Sequence, residues 1–213
     1  MIKIDLCKRL FRAIMSQIME PNTPNNPPTK PSFWASLWEW VKVIAIALII
    51  SLPIRFFIAE PFVVNGASMD PTFATGQFLI VDRLSYRFES PKRGDVIVFR
   101  YPNQPSTYYI KRIIGLPGET VSIKNGHISI SAKNSTTTVA IDEPYIDSSH
   151  RSFDDLTAPL NDSQYFVMGD NRRESSDSRA WGPLPKEMII GRPAVRLLPL
   201  TKLSIYPGEH NSK

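Results

Sequence analysis

The chain has little of the residue types that build disulfide bonds, metal sites and histidine-based catalytic sites. Its 213 residues include one cysteine, Cys7, which excludes an intramolecular disulfide and a zinc ribbon. The three histidines, His127, His150 and His210, each lie in a polar segment, and we expect all three to be solvated. A catalytic base, which is usually a histidine, is therefore expected among other residue types.

The sequence also lacks the patterns of several large functional classes. Its net charge is only +5, and its lysines and arginines form no stripe with interleaved aromatic residues of the kind that binds nucleic acid. No internal repeat, Gly-rich phosphate loop or Ser-x-x-Lys motif of the penicillin-binding type occurs. We therefore expect no nucleic-acid partner, no metal and no cofactor.

Long apolar runs are scarce, and the longest has a short uncharged core. That core, residues 43–54, would cover about 18 Å as a helix, against about 30 Å of membrane hydrocarbon. Lys42 and Arg55 can extend towards opposite interfaces, and nearby tryptophans suit the headgroup level. We expect one span near residues 36–58. A cleaved export signal is the alternative, but more than thirty proline-containing residues precede it, which is too many for a normal leader.

Composition divides the chain into three parts. Residues 1–31 form a tail, with either a basic amphipathic helix or a disordered segment over 1–19 and a Pro/Asn-rich linker to residue 31. Residues 32–59 are the predicted transmembrane anchor, and residues 60–213 are the predicted catalytic domain. Basic residues are concentrated before the span, which predicts a cytoplasmic N-terminus and a domain on the trans side of a cell inner or internal membrane.

The domain after the span has the pattern of a mostly β protein. Short β-branched and aromatic runs are separated by Gly, Pro and Asn, with no long helical period. The predicted strands are residues 62–64, 78–81, 95–99, 109–114, 120–124, 127–131, 138–141, 164–168 and 189–198. We expect an antiparallel, barrel-like sheet domain that is monomeric, with exposed loops at residues 134–138 and 147–163.

Ser68 lies in a loop whose composition suits a nucleophile. Gly66 and Ala67 allow close approach of a substrate, and Pro71 limits any helix through the segment. The segment is not a nucleophile elbow, because Asp70 stands where that motif needs glycine. The alternative is that the hydroxyl of Ser68 only bonds to the local backbone of a turn.

Lys111 is the candidate base for such a serine. It lies in an aromatic and β-branched run that ends at a Gly/Pro turn, which predicts a strand. Alternation places Lys111 on the same face as Tyr109 and Ile113. Burial there would lower the pKa of the lysine from about 10.4 by several units, so that it could accept a proton. The alternative is an exposed lysine on a two-sided strand.

A third segment, residues 168–183, is dense in hydroxyls, carboxylates and guanidinium groups. Together with residues 92–99, the three segments resemble the sequence boxes of the bacterial type I signal peptidases. These are membrane-bound serine proteases that remove signal peptides from exported proteins. The boxes read Ser-Met-x-Pro-Thr from residue 68, Lys-Arg-x-x-Gly-Leu-Pro-Gly from residue 111 and Gly-Asp-Asn-Arg-x-x-Ser-x-Asp-Ser-Arg from residue 169. The resemblance covers roughly residues 60–185, and four boxes in order make a specific signal.

The resemblance implies a role for each matching residue. Ser68 would be the nucleophile and Lys111 the general base. Ser175 would hydrogen-bond and orient the lysine, while Asp177 and Arg179 would form a supporting salt bridge.

One position departs from part of the family. Some members have a serine two residues before the nucleophile, whose hydroxyl helps to stabilise the oxyanion. Here that residue is Gly66, so backbone amides, including that of Ser68, would have to supply the donors.

The resemblance also implies the substrate class. The family cuts preprotein signal peptides after small residues of the Ala-x-Ala type, next to a lipid bilayer. We expect Val64, Met69 and Ile110 to form the walls of shallow pockets, with ordinary core packing as the alternative. Exposed phenylalanines, Phe57, Phe62 and Phe73, are candidates for contact with the bilayer or for core packing.

Two other classes share some of these features. A Ser-Lys self-cleaving regulator would use the same pair of residues, but such proteins normally carry a DNA-binding helical domain, for which residues 1–30 are too short. A membrane-tethered β domain with a binding role and no catalysis would have the same composition.

Overall fold

The computed structural model describes residues 33–53, 59–133, 135, 137–146 and 148–209. The predicted tail over residues 1–31 lies outside this range, as do His210 and Phe57. Helix α1 spans Phe33–Pro53, where sequence predicts the start of the anchor. Residues 54–58, which would complete the predicted span, are not described. Within the described residues, no helix combines the length and apolar character that crossing a membrane requires.

Twelve strands lie in the described part of the chain after α1. They are β1 (Ala59–Val63), β2 (Phe78–Asp82), β3 (Val96–Tyr101), β4 (Gln104–Gly115), β5 (Glu119–Lys124), β6 (His127–Ala132), β7 (Thr138–Ala140), β8 (Leu156–Pro159), β9 (Gln164–Met168), β10 (Leu184–Pro185), β11 (Ile189–Leu198) and β12 (Ser204–Ile205). All of their pairings are antiparallel, which confirms the prediction of a mostly antiparallel β domain.

The strands form two sheets. The larger has the order β1-β2-β11-β3-β4-β9-β10, with β12 also on β11. The smaller has the order β7-β6-β5-β8. Among the described strands, β1 and β10 lie at the two ends of the larger sheet and do not pair with each other. The larger sheet is therefore open, and the predicted barrel-like domain is not a closed barrel.

All nine predicted strands are present, with ends that differ by a few residues. A hairpin turn between β5 and β6 precedes His127. Asn125 and Gly126 both have positive φ values, 49° and 75°, which is the backbone of a type I′ turn. His127 is exposed, as expected.

The prediction that residues 147–163 form an exposed loop is wrong in its second half. Residues 156–159 form β8, which pairs with β5. Leu160, directly after β8, is buried in the core of the smaller sheet. The tertiary pairing decides this strand, because a four-residue segment that ends in proline has little strand character of its own.

Short helical turns lie between the strands. They are α2 (Ser85–Phe88), α3 (Ser178–Trp181) and 3₁₀ turns at Ser148–His150, Arg172–Glu174, Lys186–Met188 and Leu200–Lys202. None is longer than four residues, which agrees with the absence of a helical period in the sequence.

Three buried clusters form the core. One lies on the smaller sheet around Phe166 and Val121, and a second packs Phe99 and Ile113 in the larger sheet. The third joins Phe73, Met69, Val64, Leu79 and Val96. Because it includes residues from both sides of Ser68 in the chain, it fixes the loop that carries this serine.

Candidate active site

Ser68 lies in a tight loop between β1 and β2. The amide of Asp70 donates to the carbonyl of Ala67 at 3.1 Å, and the amide of Phe73 donates to the carbonyl of Met69 at 2.9 Å. Met69 and Phe73 are both fully buried. The loop is therefore held from below by core packing, while Ser68 itself is partly exposed.

Lys111 extends from β4, an inner strand of the larger sheet that lies between β3 and β9. Its amine Nζ is 2.7 Å from the Oγ of Ser68 and donates to the carbonyl of Ile110 at 2.9 Å. Only 3% of Lys111 is exposed. The structure thus brings the predicted serine and lysine together, although 43 positions separate them in the chain.

Burial controls the protonation of Lys111. Loss of solvation lowers the pKa of the amine from its ordinary 10.5 to about 8, against the opposing effect of Asp177 and Asp170. The Tyr109 ring lies on the same face, with its centroid 5.2 Å from Nζ. An amine with this pKa is uncharged in a large fraction of molecules just above neutral pH, as a general base must be.

Asp177 and Arg179 form an ion pair at the start of α3. Arg179 Nη2 is 2.8 Å from Asp177 Oδ2, and Arg179 Nε donates to Asp177 Oδ1 at 2.8 Å. The same carboxylate accepts from the amide of Arg179, as a helix N-cap, and from the amide of Gly169. Asp177 is fully buried, so it connects α3 to the end of β9.

Ser175 does not make the hydrogen bond expected of it. Its Oγ is buried and has no partner in the described structure, and the amine of Lys111 is bonded to Ser68 and to the carbonyl of Ile110 instead. The side chain of Ser175 packs against Gly169, where a Cβ would collide with both Ser175 and the carbonyl oxygen of Ser68. This close packing on Gly169 holds Ser175 next to the site, but its hydroxyl bonds to neither Ser68 nor Lys111.

An apolar groove of about 290 Å³ opens over Ser68 and Lys111. Val64 and Ile110 line it, as predicted for substrate contacts. Met69 does not line it, so this prediction is wrong: its side chain points down into the core with Phe73 and Leu79. The remaining lining residues are Phe62, Val63, Asn65, Gly66, Ala67, Leu79, Val98, Tyr108, Tyr109, Glu174 and Ser176.

Two of the phenylalanines proposed for bilayer contact can be placed. Phe73 is fully buried, so its proposed exposure is wrong. Phe62 is partly exposed and stacks edge-on against Tyr108 at 5.2 Å between ring centroids.

The backbone amides around Ser68 differ in whether they are already hydrogen-bonded. The amide of Gly66 donates to Oγ1 of Thr75 at 3.1 Å, so it is already used. The amide of Ser68 donates to no described residue. Gly66 has φ = +103°, a conformation that side chains disfavour, which fits glycine at this position. No group of three or more His, Cys, Asp or Glu in the described part is placed to hold a metal ion.

Comparison with known proteins identifies the family. The family model described as "Signal peptidase, peptidase S26" matches residues 37–198, which include every candidate site residue. The chain belongs to the signal peptidase family. The match extends over eleven of the twelve strands as well as the four boxes, so the family resemblance is not limited to short motifs.

Relatives from several bacteria agree with this family assignment. A signal peptidase I from Leptolyngbya laminosa is 36% identical over 203 residues, covering 89% of this chain and 96% of the relative. A probable signal peptidase I-1 from Synechocystis sp. is 38% identical and covers 81% and 88%. Signal peptidase I S from Bacillus subtilis is 40% identical and covers 73% and 86%.

This signal peptidase family member has a second buried ion pair that sequence reasoning missed. Arg112, next to Lys111, binds Asp170 through two hydrogen bonds of 2.8 and 2.7 Å, and both side chains are fully buried. Asp170 also accepts from Oγ1 of Thr72 at 2.6 Å. The pair therefore ties the loop of the serine to the strand of the lysine. In the sequence, the only indication of this ion pair is that both residues lie within the family boxes.

A third buried pair supports the same loop of the signal peptidase fold. Arg172 binds Glu143 with both terminal nitrogens and donates from Nε to the carbonyl of Gly169 at 3.0 Å. Both side chains are nearly fully buried. Because Gly169 contacts the backbone of Ser68, this pair fixes the wall against which the serine is packed.

Proposed function

We propose that Ser68 is the nucleophile and Lys111 the general base of a signal peptide-cleaving serine endopeptidase. Family membership establishes the enzyme class: the chain is a type I signal peptidase, a hydrolase that removes signal peptides. The observation that supports this assignment of residues is the 2.7 Å separation of the amine and the hydroxyl. A buried lysine beside a partly exposed serine in an apolar groove suits covalent catalysis.

The reaction is an acyl transfer in two steps. Neutral Lys111 takes the proton of the Ser68 hydroxyl as Oγ attacks the scissile carbonyl carbon. The tetrahedral intermediate then breaks its C–N bond, and the lysine gives its proton to the leaving amine. In the second step the neutral lysine takes a proton from water, the water attacks the acyl-enzyme, and Oγ leaves with the proton returned by the lysine.

The free amide of Ser68 is the proposed oxyanion donor. It has no acceptor among the described residues, and it belongs to the residue whose Oγ forms the new bond. A donor fixed in place before reaction needs no reorganisation as charge develops on the oxygen. Asp177, Arg179 and Ser175 are proposed as positioning residues, because none of them bonds to the two reacting groups in the structure.

The proposed substrates are preproteins whose cleavage site has small side chains one and three residues before the cut. The groove supports this, since its walls near the serine are apolar and include Val64 and Ile110. Small side chains suit a shallow groove that also has to admit the peptide backbone.

We extend the proposal to membrane attachment through residues 36–58, with a cytoplasmic N-terminus. Helix α1 exposes apolar side chains along its length, among them Val43, Ile46 and Ile49 at 58–70%, and a continuous exposed apolar surface favours apolar surroundings. The sequence remains largely apolar through the residues that follow α1. Tethering would confine the enzyme to the surface at which its substrates emerge.

The residue assignments are tested with the full chain in detergent. Purified wild type, Ser68→Ala and Lys111→Ala are incubated with a preprotein, and the processed product is measured on gels. Ser204→Ala and Lys202→Ala are matched controls, since they remove a serine and a lysine from outside the groove. We expect both site variants to lose at least 10³-fold in rate and the controls to cut normally. A folded site variant, checked by circular dichroism, that still cuts at the wild-type rate would disprove the assignment.

Membrane attachment is tested separately. To test attachment, cells that express the full chain are lysed and their membranes are washed with alkaline carbonate. To test orientation, tags at either end of the chain are probed with protease added from outside intact cells. We expect the chain to stay in the membrane pellet and only the C-terminal tag to be digested. Release into the wash would overturn the anchor, and digestion of the N-terminal tag would overturn the orientation.

A further inference from the structure

One wall of the groove carries a charge that the proposed reaction does not use. Among the described lining residues, Lys111 is the one basic side chain and Glu174 the one carboxylate, and the others carry no charge near neutral pH. Glu174 lies at the end of the 3₁₀ turn Arg172–Glu174. When Lys111 is neutral, as its role as a base requires, Glu174 is the one full charge among these lining residues.

No cation of the same segment neutralises this carboxylate. The guanidinium of Arg172 is bound to Glu143, that of Arg173 donates to the carbonyl of Arg151, and that of Arg179 is bound to Asp177. The side chain of Glu174 has no hydrogen bond or ion pair to any described residue. It is exposed, so a charge on a bound ligand can reach it.

The backbone that carries Glu174 is fixed on both sides. Its amide donates to the carbonyl of Asn171 at 3.2 Å, and Arg172, two residues before it, is buried in an ion pair. Ser175, directly after it, is packed with its hydroxyl buried against Gly169. A solvated carboxylate on a mobile loop would have no fixed place, whereas this one has a defined position in the wall of the groove.

We propose that Glu174 is a specificity residue, which favours a lysine or arginine side chain and disfavours an aspartate or glutamate side chain at one position of the substrate near the scissile bond. This rests on the proposed function, because it assumes that the peptide lies in this groove. The carboxylate attracts a substrate cation and repels a substrate anion. Since the site is open to water, the effect is modest and sensitive to salt.

The experiment measures selectivity, with wild type, Glu174→Gln and Glu174→Lys in detergent. Peptides with an Ala-x-Ala site carry Lys, Gln or Glu at one position at a time, from three residues before the cut to three after it, except at the two alanines. The rate constant kcat/KM is measured for each, and the Gln peptide is the reference. Glu187→Gln is the matched control, because it removes one exposed negative charge outside the groove.

At one position of the substrate, we expect the kcat/KM of wild type to rise about two- to fivefold for each unit of positive charge gained, from the Glu to the Gln to the Lys peptide. Glu174→Gln should abolish this preference, and Glu174→Lys should reverse it. The preference should weaken at 0.5 M salt, and Glu187→Gln should leave it unchanged. A merely structural role would change all peptides equally. Cleavage that depends on Ser68 but shows the same Lys-to-Glu ratios in all Glu174 variants overturns this inference alone. Absence of cleavage by wild type overturns the proposed function instead.

Discussion

The carboxylate of Asp177 binds Arg179 through two hydrogen bonds of 2.8 Å and makes no hydrogen bond to Lys111. The second carboxylate that acts on the lysine, Asp170, is likewise bound by Arg112. Each carboxylate near the amine thus has its own guanidinium partner. The lysine is left with burial as the main influence on its charge, which is why its pKa is lowered.

The rate of cleavage should rise with pH as Lys111 loses its proton. Since burial lowers the pKa of Lys111 to about 8, kcat/KM should climb through a midpoint near pH 8 and level off above it. The measurement is a pH profile with an uncharged peptide between pH 6 and 11. A rate that begins to climb only above pH 10 would show a solvated, charged lysine and contradict the assignment.

Replacing Asp177 by Asn should move this midpoint to lower pH. The negative charge of Asp177 raises the pKa of Lys111, so its removal, with Arg179 left in place, should lower that pKa further. Asparagine also caps helices well, so α3 is kept. The test is the pH profile of Asp177→Asn beside wild type. A midpoint shifted towards pH 10 would mean that the carboxylate acts on the lysine in the opposite sense.

Replacing Lys111 by Met should stabilise the fold at neutral pH. The pKa is about 8 in the folded state and 10.5 ordinarily, so between these values the unfolded chain binds more protons and stability rises with pH. Below pH 8 the full penalty of burying the charge applies, on the order of 3 kcal/mol. Above pH 10.5 it has gone.

Unfolding in urea at pH 7 and pH 10.5 measures this difference. The free energy of unfolding of Lys111→Met should exceed that of wild type most at pH 7, and this difference should shrink by pH 10.5. A gap that stays constant with pH would show that the lysine titrates alike in both states.

Replacing Gly169 by Ala should damage the site more than the fold. A Cβ at this position would collide with the carbonyl oxygen of Ser68 and with the side chain of Ser175, so the serine must shift. A shift of about 1 Å at a reacting group can cost 10²-fold in rate. We expect a fall of this size in kcat for the folded variant.

The control for this change is Gly191→Ala. Its Cβ would collide with the carbonyl oxygen of Asp82, within the pairing of β2 and β11 and away from the serine. It should lower the melting temperature with a smaller effect on the rate per folded molecule. Equal losses of rate in the two variants would mean that Gly169 matters only for folding.

Strand alternation was enough to place the side chains of β4. Lys111 shares a face with Tyr109 and Ile113, as predicted, and the latter two pack in the same cluster. This worked because β4 is an inner strand with a period of two and a clear Gly/Pro end. That Ser68 lies beside Lys111 came from the family resemblance, since pairing between distant segments leaves no local pattern.

The errors have physical causes that a local pattern does not contain. Met69 was placed in the groove because it follows Ser68, but a turn sends successive side chains in different directions. The tie between Arg112 and Asp170 was missed because a fully buried ion pair is rare and its members lie 58 positions apart. The strand β8 depends on its partner β5, which only the folded structure provides.

The contact of Arg112 with Gly208 joins the strand of Lys111 to a segment 96 positions further along the chain. Arg112 Nη1 donates to the carbonyl of Gly208 at 2.6 Å, and the backbone at Gly208 packs against Phe73, beneath the loop of the serine. Although Gly208 is not among the described residues that line the groove, a change there should therefore reach both reacting groups, through Arg112 to the strand of the lysine and through Phe73 to the loop of the serine.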